Sequence, residues 1–155
     1  MDLICESLRR VNLLFMLYLI LFGLAGLLFF PVVDKIGRKK SHWIFSTGHI
    51  LAQALILFFP GFVARAIGFS LLGFMMVKNS LVYTWTFEFL LKDYKPIGSS
   101  IVNMLEFSNC IIAGVYFICI SRDVTPLLNF FFGISVLGYV SVSLLLPESP
   151  KWLLL

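Results

Sequence analysis

The chain has 155 residues, 60% of them hydrophobic and 13% charged, with 12 basic and 8 acidic side chains and a formal net charge of +4. A soluble domain is about 45–50% apolar and about 25% charged, whereas the mean hydropathy here is +0.99. So few charges could not cover so much apolar surface in water, which excludes a soluble enzyme, a secreted disulfide scaffold and a nucleic-acid-binding module and makes the lipid bilayer the first partner.

Residues 1–10 form a short N-terminal segment without the basic region of a signal peptide. The first apolar block, 11–33, holds no charge. It is about twice the usual length of a signal-peptide core and is expected to stay as a span. The second block, 42–59, is closed by Pro60-Gly61. The third, 63–87, carries Arg65 near its start and Lys78 inside it. The fourth, 97–120, carries Glu106, and the fifth, 125–146, is ended by Pro147. Each block has 18–25 residues, enough at about 1.5 Å per residue to cross a core about 30 Å thick. Only helices satisfy their own backbone groups in lipid. The expected fold is therefore all-α, a polytopic domain of five transmembrane helices over 11–146, with a C-terminal end at 147–155. Glycines inside the blocks (Gly23, Gly26, Gly68, Gly73, Gly114, Gly133, Gly138) are expected to allow close helix approach.

Five spans place the two ends of the domain on opposite sides. Lys35, Arg38, Lys39, Lys40, Lys92, Lys95 and Lys151 fall on one side, against Arg9, Arg10, Arg65 and Arg122 on the other. The positive-inside rule puts the first connection, the third connection and the C-terminal end in the cytoplasm. It leaves Arg9 and Arg10 outside, where basic residues are disfavoured, and so points to a missing preceding helix. Cys5, Cys110 and Cys119 are too few for a disulfide framework. No metal-ligand spacing and no nucleophile–base set is visible, so no metal, cofactor or enzymatic reaction is expected.

Two ordered motifs carry a resemblance. The connection Asp34-Lys35-Ile36-Gly37-Arg38-Lys39-Lys40 joins two apolar blocks, and Gly37 supplies the permissive backbone of a very short turn. It is similar to the signature loop between helices 2 and 3 of major facilitator superfamily transporters. Pro147-Glu148-Ser149-Pro150-Lys151-Trp152-Leu153 resembles the motif after helix 6 in the sugar porters and organic ion transporters of that superfamily. A weaker likeness lies in Arg65 with Gly73, and in Glu88 followed seven residues later by Lys95. The chain therefore resembles helices 2–6 of such a transporter, without helix 1 or the second half. The resemblance implies that Asp34, Gly37, Arg38, Glu88, Lys95 and Glu148 form a charged gate at the cytoplasmic end.

Candidate substrate chemistry lies on polar helix faces. In the fourth block Ser99, Asn103, Glu106 and Cys110 recur at steps of four, three and four and share one face. A carboxylate inside the membrane needs a named partner. Lys78 and Glu106 both lie roughly 13–15 Å from the cytoplasmic end of neighbouring antiparallel spans, which permits an ion pair. Lys78, Asn103 and Glu106 are thus the candidate substrate or coupling residues. In the second block His42, Ser46, His49 and Gln53 show the same spacing. That stripe reads as helix packing away from the pathway, with His42 at the interface.

The functional expectation is transport of a small organic solute, a sugar or organic ion, by a half-size or truncated protein. A second half is then required, from a homo-oligomer, a partner membrane protein or a longer chain. The alternative is a non-transporting structural membrane subunit of a larger assembly.

Overall fold

The computed structural model describes residues 8–59, 61–145 and 147. The first helix, α1 (Leu8–Ile36), begins before the first apolar block and continues past it. Pro31 near its end removes one rung of the hydrogen-bond ladder, a loss that membrane helices tolerate when neighbours re-satisfy the backbone. One residue, Gly37, separates α1 from α2 (Arg38–Phe58). Its φ of 101° and ψ of 151° lie in a region open essentially to glycine alone. The Gly37 amide still donates to the Val33 carbonyl at 3.1 Å, and the Gly37 carbonyl accepts from the Ser41 amide at 3.2 Å. Both helix ends stay bonded through the reversal.

The third apolar block, expected as one helix over 63–87, is two helices, α3 (Phe62–Met75) and α4 (Val77–Phe89). They meet at Met76, whose amide donates to the Gly73 carbonyl at 3.3 Å and whose carbonyl accepts from the Asn79 amide at 3.0 Å. These three-residue bonds replace the regular four-residue ladder. Gly73, a poor helix former, sits where the regular pattern ends. A short 3-10 turn, Lys92–Tyr94, leads into α5 (Lys95–Cys119), and α6 (Val124–Leu145) completes the described helices. Pro96 lies in the first turn of α5, where its missing N–H has no partner to lose.

The molecule is all-α. Four helical stretches, Val11–Phe29, Phe62–Phe89, Lys92–Cys119 and Val124–Leu145, are long and apolar enough to cross a membrane. Side chains such as Leu27, Ile118 and Leu144 stand 79, 85 and 78% exposed on the outer surface. That surface suits lipid and not water, so the chain is a multi-pass membrane protein.

α1 and α3 run side by side in the same direction, with Leu14 and Tyr18 beside Phe69 and Leu72. A Cβ added at Gly73 would run into the backbone carbonyl of Tyr18, so the two helices approach closely there. α2 runs opposite to α3, with Gly48 facing Met75, and Gly68 facing Ala52 and Ile56. α6 runs opposite to α2, pairing Phe132 edge-on with Phe58 at 6.4 Å and Tyr139 with Thr47 at 3.4 Å. The glycines divide accordingly. Gly68 and Gly73 sit at close contacts, whereas Gly23, Gly114, Gly133 and Gly138 have open space where a side chain would stand.

The core lies toward the end of the bundle that holds the Gly37 turn. Val33 of α1, Phe45 of α2, and Leu81 and Trp85 of α4 are buried together, with Phe29, Met75 and Val142 packed against them. Phe29 meets Phe45 and Phe74 edge-on, with ring centroids 5.1 and 5.0 Å apart. Without a solvent-driven hydrophobic force in lipid, such interlocking contacts carry helix association. α5 stands apart from this core and buries none of its residues.

Candidate functional site

Two features meet around α2 and α4. The first is a charge cluster at the Gly37 end. Arg38 Nη2 lies 2.9 Å from Asp34 Oδ1 and 3.1 Å from Glu88 Oε1. Asp34 belongs to the last turn of α1, Arg38 begins α2, and Glu88 stands in the last turn of α4. One guanidinium therefore fastens three helix ends. The Arg38 and Glu88 side chains are only 10 and 16% exposed, whereas Asp34 is 65% exposed. The Arg38–Glu88 bond is thus the shielded one, and the Asp34 pair is weakened by solvent. The single-residue Gly37 turn makes this possible, because it holds Asp34 and Arg38 four residues apart across the helix junction.

The second feature is an open-sided cavity of about 280 Å³ bordered by α2, α4, α5 and α6. His42 and Ser46 line it from α2, Lys78, Asn79 and Tyr83 from α4, and Glu106 from α5. α6 contributes Ser135 and Tyr139, while Val82, Val102, Ile134 and Val142 form apolar wall. Lys78 and Asn79 enter it just past the break at Met76. Ser46 Oγ shares a hydrogen bond with the His42 ring, 3.2 Å from Nε2. The Tyr83 hydroxyl donates to Asn103 Oδ1 at 2.6 Å. The His42 ring also lies 6.0 Å from Trp85, one turn before Glu88. Cavity wall and charge cluster are thus neighbours along both α2 and α4.

The residues singled out by sequence fall into three groups. Asp34, Gly37, Arg38 and Glu88 come together at one place. Lys78 and Glu106 line one cavity, with Asn103 behind Tyr83. Lys95 does not join the Arg38 cluster; it is exposed at the first residue of α5, and no ion pair within 4.0 Å links it to that cluster among the described residues. Glu148 lies outside the described residues. Two expectations change, for the Lys78–Glu106 pair and for the α2 stripe. Lys78 and Glu106 share a cavity, but no ion pair within 4.0 Å joins them among the described residues, because α5 stands away from the core. His42, one turn into α2, is shielded within the bundle at 5% exposure. The α2 stripe, read as packing remote from any pathway, supplies His42 and Ser46 to the cavity wall.

Sequence reasoning missed Tyr83 and Tyr139. Asn79 and Tyr83, four residues apart beside Lys78 and Val82, were the available signal for the first. For Tyr139 the signal was Ser135, four residues before it on the same face of α6. Among the described residues, no three His, Cys, Asp or Glu side chains are placed to hold a metal ion.

The arrangement can bind a small polar solute. It presents one cation, one anion and several hydroxyl groups within an apolar frame, as ligand pockets commonly do. Comparison with protein-family models and with curated proteins finds no match for this chain.

Proposed function

We propose that the protein is a transporter-type membrane protein, related to the major facilitator superfamily, that moves a small organic solute such as a sugar or organic ion. α2 crosses the bilayer as a fifth span between the four apolar ones. Its 21 residues reach about 31 Å at 1.5 Å per residue. Its polar stripe, Ser41, His42, Ser46 and His49, is buried inside the bundle, so its lower hydropathy is no obstacle. The Gly37 turn and the charge cluster then face the cytoplasm, in line with the excess of Lys and Arg there.

The observation that carries this reading is the junction of a charge cluster with a polar cavity. Arg38 links the ends of α1, α2 and α4, and Lys78 enters the cavity at the other end of α4, just past the helix break. Discontinuous helices beside a polar midplane cavity are a recurring feature of secondary transporters. The resemblance in the Asp34–Lys40 connection supports the same assignment. A second half, from another copy, a partner membrane protein or a longer chain, completes the enclosure, since the α5 side of the cavity is open to it.

Uptake of labelled sugars, organic cations and organic anions into proteoliposomes tests the proposal. Saturable uptake that falls with Glu106→Gln supports it. A folded protein that takes up none of them, but purifies in fixed stoichiometry with other membrane subunits, favours a structural role. The absence of any buried residue on α5 is the observation that would serve such docking.

A further inference from the structure

Lys78 and Glu106 stand on different walls of one cavity, α4 and α5, and neither makes a hydrogen bond or ion pair among the described residues. The other titratable group facing this space from α2, His42, is already engaged by Ser46. The hydroxyls of Tyr83 and Tyr139 bond to Asn103 and Thr47. The two free charges are therefore the unsatisfied chemistry of the cavity.

Charge accounting selects the ligand. Charged groups inside a membrane protein require partners. A simple anion pairs with Lys78 and is repelled by Glu106; a simple cation does the reverse. A neutral solute satisfies neither. A molecule carrying both charges satisfies both at once and brings no net charge into the low-dielectric interior. The cavity volume, about 280 Å³, lies near the lower end of the roughly 300–1,000 Å³ of ligand pockets. Its apolar wall, including Val82, Val102 and Val142, fits a compact aliphatic group.

We infer that the cavity binds a small zwitterion of the amino-acid class, its carboxylate on Lys78 and its ammonium on Glu106. This narrows the solute of the transport reading above and rests on it. The polarity is set by the two helices. Lys78 stands half-buried on α4, on the same cavity wall region as His42 of α2, and Glu106 stands exposed on the looser α5.

Binding to the full chain in lipid nanodiscs tests the assignment with three probes: L-valine, its cationic methyl ester and its anionic N-acetyl derivative. Valine binds wild type at least about tenfold more tightly than either derivative, the worth of one charge-assisted hydrogen bond. Lys78→Met shifts preference to the methyl ester, and Glu106→Gln shifts it to N-acetylvaline. The exchanged pair, K78E with E106K, recovers valine binding, which separates charge pairing from damage to folding. Wild type that prefers either derivative overturns the zwitterion while leaving a solute cavity in place. If none of the three binds, yet a sugar is taken up, the zwitterion falls and transport stands. If nothing binds and nothing is taken up, both fall.

Discussion

The Tyr83 hydroxyl donates to Asn103 Oδ1 across 2.6 Å and ties α5 to α4. α5 buries none of its own residues, so this bond has few neighbours to share its work. Tyr83→Phe removes the donor and keeps the ring against Phe87, 5.7 Å away. Amide hydrogen exchange in the middle of α5 is expected to accelerate by roughly several-fold, since interhelical hydrogen bonds in membranes contribute modestly. Exchange in α2 and α3 stays unchanged. Equal acceleration in all helices would show that α5 is held by something else.

Arg38 joins Glu88 in a shielded site and Asp34 in an exposed one. A double-mutant cycle over Arg38→Ala and Glu88→Ala is expected to give a coupling of about 1.5–3 kcal/mol in reversible detergent unfolding. The corresponding cycle with Asp34→Ala gives about 0.2–1 kcal/mol, as exposed ion pairs do. Equal couplings would mean that the two carboxylates carry the same load.

Gly37 turns the chain with a φ of 101°. Gly37→Ala is expected to cost about 1–3 kcal/mol through backbone strain alone. It also separates Asp34 from Arg38, so the Asp34 coupling disappears in the Gly37→Ala background. Thermal unfolding with the same cycle measures both effects.

The close approach at Gly73 gives a further contrast. A Cβ there meets the backbone carbonyl of Tyr18, whereas a Cβ at Gly133 meets nothing within 4 Å. Gly73→Ala is expected to destabilise by about 1–3 kcal/mol, because backbone has to move. Gly133→Ala stabilises slightly or leaves stability unchanged. Chemical unfolding of the two variants decides it.

Cys119 ends α5, the opposite end from the Gly37 turn. With Cys5 and Cys110 replaced by serine, a membrane-impermeant maleimide is expected to label Cys119 from outside intact cells. In the same background with Cys119 also replaced, Lys39→Cys reacts only after permeabilisation. Labelling of both from one side would overturn the five-span arrangement.

Much of the fold was legible in the chain because a bilayer simplifies the reading. Lipid admits only backbone that bonds to itself, so long apolar blocks had to be helices, and the Asp34–Lys40 connection had to be a tight turn requiring Gly37. The polar stripe of α2 and the charges Lys78 and Glu106 were equally visible, since each interrupts an apolar pattern. What each faced was not visible. That His42 is buried within the bundle was not visible, because its surroundings depend on how α2 packs against α4 after the Gly37 reversal. The Met76 break was not visible either, because Gly73 and the polar run Lys78-Asn79-Ser80 are both compatible with a continuous membrane helix.

Composition and periodicity thus determined that this chain is helical, crosses a membrane several times and keeps a charged turn between its first two helices. These are consequences of transfer to lipid and of local backbone geometry, and each acts on a short segment. Tertiary structure alone decided that Arg38 takes Glu88 and leaves Lys95 apart, and that Lys78 and Glu106 share a cavity unpaired. Such relationships depend on the relative rotation and spacing of helices, set by side chains such as Trp85 and Gly73 that pack from distant parts of the chain.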